Sequence, residues 1–200
     1  MGALVGLGLL ASACGTSGTG TAGAPALTGI SHAAYQIAPV PLTDTDGATY
    51  VLAKDATKPL TLVFFGYTTC PTECPIVMSS LASAMTRLDD ADRKDVGVVF
   101  VTTDPARDSP AALRKYLDRY DPGFVGLTGQ LGQIVKLSTS MHIYVGEGTK
   151  LPSGGYDLTM HDTHVSGIDT AGKATMVWGM DTSPKQFADD IHTLLQKARA

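Results

Sequence analysis

The sequence predicts an α/β fold, and three observations carry that prediction. Residues 61–67 (TLVFFGY) and 96–102 (VGVVFVT) are continuous apolar runs, the character of strands covered on both faces of a sheet. Each is followed by a stretch with helical spacing of apolar residues. Two short strands about a turn then precede a last amphipathic segment. Strand, helix, strand, helix, hairpin, helix is the order of a thioredoxin-like domain.

Taken in chain order, residues 40–42 and 49–52 flank Asp46-Gly47, a hairpin signal. After the 61–67 strand, a helix from about Pro75 to Leu88 buries Val77, Leu81, Ala84, Met85 and Leu88, spaced three and four apart. Ser109 and Pro110 supply the cap and first position of a helix reaching about Tyr120. A short strand at 124–127 and a helix at 131–141 follow. Strands near 164–168 and 174–178 are joined by the turn Asp169-Thr170-Ala171-Gly172. The final helix, 184–197, turns Phe187, Ile191, Leu194 and Leu195 inward. The N-terminal hairpin and the long middle section are insertions on the thioredoxin plan.

Residues 1–13, MGALVGLGLLASA, are small and apolar and end at Cys14. They are too short to cross a bilayer, which takes about 20 residues. They resemble the end of a bacterial lipoprotein signal, in which small residues precede a cysteine that is lipidated. Residues 14–34 then read as a flexible tether, beginning with an uncharged Gly/Thr/Ala stretch, and 35–200 as one globular domain. This organisation predicts a lipid-anchored protein on the extracytoplasmic face of a cell membrane, monomeric, with Cys70 and Cys74 left as an even pair of thiols. A hydrophobic content of 44% with 17% charged residues excludes a disordered chain. A net charge of −4 offers no basic footprint for nucleic acid.

Chemistry concentrates at Cys70-Pro71-Thr72-Glu73-Cys74, directly behind the first core strand. With a helix opening near the second thiol, both sulfurs share a side of its first turn, and the helix N-terminus favours thiolates. Such a pair is either a redox dithiol or two-thirds of a soft-metal site. A structural disulfide here would close almost no chain and so stabilise little. Glu73 is expected to face solvent. Phe64, Phe65 and Tyr67 are expected in the core and pocket wall, and His32, His142 and His192 on the surface. Asp104 and Asp108 are expected to cap the next helix and pair with Arg107.

Residues 64–75, FFGYTTCPTECP, resemble the signature of the Sco (SenC) family, and 103–110, TDPARDSP, is similar to its second motif. Gly126-Leu127-Thr128-Gly129 also matches, as does a histidine, His161, eight residues before Asp169. The resemblance covers about residue 36 to the C-terminus. It implies a membrane-tethered thioredoxin-like domain that binds copper, as Cu(I) or Cu(II), through Cys70, Cys74 and His161. It implies a metallochaperone function in assembly of the copper centre of cytochrome c oxidase. Partners would be the copper-bearing oxidase subunit or another copper chaperone. The histidine segment departs from the family pattern: Tyr156 stands five residues ahead of His161 instead of four, Asp162 replaces a hydroxyl residue, and His164 is a nearby competitor. Two thiolates and an imidazole make a trigonal site suited to copper, whereas zinc would want a fourth donor. The alternative is an extracytoplasmic thiol–disulfide oxidoreductase, in which Cys70 attacks a partner disulfide and Cys74 resolves the mixed species. The CxxxC spacing, one residue longer than the redox CxxC, favours the metal.

Overall fold

The computed structural model describes residues 26–146 and 161–200 in full, the backbone of 149–150 and 156–157, and Gly2. Cys14, the 1–13 segment and most of the 14–34 stretch lie outside the described residues.

The elements run β1 (Ile30–Gln36), β2 (Pro41–Asp44), β3 (Thr49–Val51), α1 (Leu52–Asp55), β4 (Leu60–Gly66), α2 (Glu73–Met85), α3 (Asp90–Asp95), β5 (Val96–Thr102), α4 (Pro110–Leu117), β6 (Val125–Thr128), α5 (Leu131–Ser140), β7 (Thr149–Lys150), β8 (Tyr156–Asp157), β9 (Val165–Ile168), β10 (Lys173–Trp178) and α6 (Pro184–Arg199). The main sheet has the order β1-β10-β9-β4-β5-β6-β2-β3. β4 pairs in parallel with β5, and β5 with β6; the flanking pairs are antiparallel. β7 and β8 form a separate antiparallel pair in the middle section.

All seven residues of β4 are buried, as its continuous apolar run predicts. Alternate side chains feed two cores, because successive Cβ atoms point to opposite faces. Leu62 and Phe64 pack with Val77, Leu81, Leu113, Trp178, Phe187 and Ile191 beneath α2, α4 and α6. Val63 and Phe65 pack with Leu52, Val101, Ile134 and Leu137 beneath α1 and α5. Three-layer construction leaves the C-terminal ends of β4 and β5 as the place where loops can carry chemistry.

Four features differ from expectation. β1 occupies the stretch expected as tether: Ile30 pairs with Val177 and Gln36 with Lys173, so the folded domain begins before residue 35. The β2–β3 hairpin, with Gly47 at φ +82, does not stand apart but joins the sheet through Thr43 and Thr128. α3 was not foreseen; five of its six residues are charged and carry no apolar period, and it is fixed by Asp89, whose carboxylate accepts the Asp92 N–H at 2.8 Å. α2 opens at Glu73, two residues earlier than expected.

Candidate metal centre

β4 delivers the chain to the thiols. Its last residue, Gly66, has no side chain for a packing reason: a Cβ there would lie 2.8 Å from the Cys74 sulfur and 3.0–3.1 Å from the Phe64 and Phe100 rings. Thr68, at the start of the loop, is held by Asp108. That carboxylate accepts the Thr68 N–H at 3.0 Å and its hydroxyl at 2.5 Å, together with the Thr102 hydroxyl at 2.6 Å. Asp108 is fully buried, and three donors offset what burying its charge costs. It was expected as a helix cap; that role falls to Ser109, which accepts the Ala112 N–H at 3.2 Å. Asp108 instead ties the thiol loop to the end of β5. Asp104 pairs with Arg107, as foreseen, and its N–H donates to the Thr102 hydroxyl.

Cys70 and Cys74 are both buried and both free thiols. The N–H of Cys74, one of the unsatisfied donors of the first helical turn, points at the Cys70 sulfur at 3.4 Å. The helix start therefore serves the first thiol. Cys74 itself is driven the other way: burial pushes its thiol well above the ordinary value, and the neighbouring Cys70 and Glu73 push it further. The expectation that the helix N-terminus favours both thiolates is thus corrected for Cys74, where burial outweighs the lowering effect of the Tyr67 backbone. Glu73 is also corrected. It is half-buried, and its carboxylate accepts from the Cys70 thiol at 3.6 Å.

Tyr67 connects the thiols to the histidine. Its phenol is pushed up to about 12, by burial first and then by Cys70. His161 packs its ring edge-on against the Tyr67 ring, with centroids 5.7 Å apart and planes at 90°. His161 Nδ1 donates to the Asp162 carbonyl at 3.0 Å, because a carbonyl can only accept; Nε2 is left with its lone pair free for a metal. The loop around it is pinned to the chain after α5. Val145 and His161 form a β-bridge, the Asp162 N–H donates to the Tyr144 carbonyl at 2.9 Å, and the Asp162 carboxylate accepts the Tyr144 N–H at 2.9 Å. Asp162, seen in the sequence only as a departure, ties the loop that carries His161 to Tyr144. His164 is exposed.

The two thiols and His161 are neighbours through Tyr67, yet their ligand atoms do not all lie within 4.8 Å of one another. Among the described residues only Asp89, Asp92 and His192 meet that distance. Those three are already engaged: Asp89 caps α3, while buried Asp92 binds His192 at 2.6 Å and Arg199 at 2.8 Å. Burial raises the Asp92 pKa but His192 and Arg199 outweigh it, so the carboxyl is held below its usual range. This is an ion-pair lock of α6 on α3, with a guanidinium where a cation would sit. His192 is about half exposed, as expected of a surface residue, but takes part in that lock. His32 and His142 both stack on Tyr35, with ring centroids 4.4 and 3.9 Å away.

A doubly wound sheet with a buried dithiol at the C-terminal end of a central strand, and an imidazole on a following loop, defines a thioredoxin-like protein with a thiol–imidazole site. The particular family is shown by comparison: SCO1/SenC matches residues 30–196, and the chain belongs to it. A SCO2-like protein of Rickettsia conorii is 31% identical over 130 residues, which is 65% of this chain and 63% of the relative. The structure of Bradyrhizobium japonicum ScoI with copper bound is similar with a TM-score of 0.67 and 29% identity, covering 78% of this chain and 97% of that one. A SCO1/SenC family lipoprotein from Bacillus anthracis shares the fold, with a TM-score of 0.67, 23% identity, and coverage of 81% and 94%. The chain spans between 39% and 63% of the length of the first curated relatives it matches.

Proposed function

We propose that this chain is a copper carrier in which Cys70, Cys74 and His161 hold one copper ion as cargo. The carrier passes it to the copper-bearing subunit of cytochrome c oxidase, or exchanges it with another copper chaperone. The observation that carries the reading is the pair of buried free thiols at the start of α2, with His161 resting on the Tyr67 ring that adjoins them. Soft thiolates select Cu(I) and an imidazole suits either copper state. Two thiolates leave Cu(II) neutral and Cu(I) at −1, so both are electrostatically reasonable. The copper-bound ScoI of B. japonicum supports copper as the metal.

The residues divide the work. Asp108 and Gly66 hold the sulfurs at the end of β4. Closing the site takes His161 from the Tyr67 edge onto the metal, and reversing that step opens a coordination position for ligand exchange with the acceptor. No helix among the described residues is long and apolar enough to cross a membrane. Lipid on Cys14, after removal of residues 1–13, would hold the domain at the extracytoplasmic surface, and the B. anthracis lipoprotein of the same family supports that anchoring.

Native mass spectrometry of the reduced chain titrated with Cu(I) tests the function. One tight copper, lost in Cys70→Ser and weakened in His161→Ala, is the expected result. Rapid reduction of a model disulfide, with copper held no tighter than by free thiols, would transfer the assignment to a thiol–disulfide oxidoreductase.

A further inference from the structure

The N-terminal segment joins the domain by a costly device. Asp190 on α6 is buried, a poor place for a carboxylate unless its lone pairs are filled. They are filled by the Thr28 N–H at 3.1 Å, the Gly29 N–H at 2.8 Å and the Trp178 indole N–H at 2.8 Å. Gly29 lies so close to the Trp178 ring that a Cβ would stand 2.4 Å from it. The chain therefore enters at a fixed point.

Register places that point. Ile30 pairs with Val177, Val177 with Ser166 and Ser166 with Val63, so β1 starts level with the middle of β4, and the chain ahead of it, Thr28 and Gly29, comes in from the side of the thiol loop. Three strand spacings, about 14 Å, separate the two sideways. The opposite end of the sheet carries Leu60, Val96 and the Asp169–Gly172 turn. A second observation selects the same end. The large apolar side chains standing exposed among the described residues are Ile30 (69%), Ile76 (47%) and Tyr144 (54%). Ile30 opens β1, Ile76 is in the first turn of α2 behind Cys74, and Tyr144 is bonded to Asp162 beside His161.

We infer that the end of the sheet bearing Cys70, Cys74 and His161 is the membrane-proximal end, with Ile30, Ile76 and Tyr144 meeting the headgroup boundary of the bilayer. This rests on the reading of Cys14 as the lipid anchor. Fourteen residues separate Cys14 from Thr28, a reach of at most about 50 Å, which bounds how far the entry point can stand from an anchored Cys14. Aliphatic and tyrosine side chains suit a boundary that is apolar on one side and wet on the other. The site is then presented close to the bilayer.

The test uses the full chain, extracted from membranes and placed in lipid-only nanodiscs containing a gadolinium-chelating lipid, with backbone amide NMR signals as the readout. Amides of Thr69, Ile76 and Gly179 should lose intensity strongly, while those of Lys58, Asp95 and Ala171 keep theirs. In Asp190→Asn, which loosens the entry point, the contrast between the ends should shrink. Uniform attenuation, or attenuation greatest at Lys58 and Ala171, would overturn the inference and leave the apolar trio to a protein partner. Mass spectrometry of the same sample separates the two readings: an unlipidated Cys14 removes the anchor and the inference with it, whereas a lipidated chain with the wrong gradient defeats the orientation alone.

Discussion

The two halves of the proposed metal centre are built differently. The thiol half sits at the end of a fully buried strand, with Asp108 filling its carboxylate from both sides of the loop and no room beside the Cys74 sulfur. The imidazole half hangs on a β-bridge, one carboxylate–amide bond and an edge-on ring contact. One half is part of the core; the other is docked against it. In the proposed carrier this division would let fixed sulfurs define where copper sits while a lightly held ligand decides when it leaves.

The contrast can be broken most severely at the sulfurs. Cys74→Ser is expected to abolish tight Cu(I) binding with little loss of fold, measured by competition with a Cu(I) chelator; retained affinity would remove Cys74 from the site. Asp108→Ala comes next. It strips Thr68 and Thr102 of a buried acceptor and should lower stability by about 1–3 kcal/mol, roughly 2–12 °C in melting temperature. Copper affinity should fall with it by about 10–100-fold, as for loss of an outer residue that orients a ligand. An unchanged melting temperature would show that the clamp holds nothing. Gly66→Ala pushes a methyl group into the Cys74 sulfur and should weaken copper more than it weakens the fold, since the helix can shift but the trigonal geometry cannot follow.

The docked half should respond in the opposite proportion. Asp162→Ala should change stability by less than about 1 kcal/mol, since the bond it removes is solvent-exposed. Copper affinity should drop by about tenfold, with Asp162→Asn recovering part of it. Equal losses in affinity and stability would mean that the loop is as integral as the thiol loop.

Acidity sharpens the comparison further. The Cys74 pKa is raised in the folded chain, so its contribution to stability is present below the ordinary thiol value of about 8.5 and is lost as pH rises towards the folded value. Denaturant titration of the copper-free chain should show stability declining from about pH 8.5, and Cys74→Ala should delay the decline to about pH 10, where the buried phenols, Tyr67 among them, take over. At neutral pH the same thiol is protonated, so copper binding should release its proton, measurable by calorimetry in buffers of different ionisation heat.

Much of this was legible because it is local. β4 and β5 announce themselves as unbroken apolar runs, and α6 by its period, its Ser183 cap and Pro184. The thiols, the acidic loop and His161 stand in recognisable order along the chain. What escaped depends on tertiary contact. β1, ISHAAYQ, is an edge strand with almost nothing buried, so no alternation marks it. Asp108, just before Ser109-Pro110, looks like a cap until folding brings Thr68 to it. The acidity of Cys74 was misjudged because helix position is visible in a sequence whereas complete burial is not. Asp162 reads as an irregularity until Tyr144 is seen opposite.

X-ray absorption at the copper edge of the reduced, Cu(I)-loaded chain tests the central claim most directly. Two sulfur and one nitrogen scatterers are predicted, with the nitrogen lost in His161→Ala and kept in His164→Ala. A sulfur-only environment, or a nitrogen that survives His161→Ala, would contradict it.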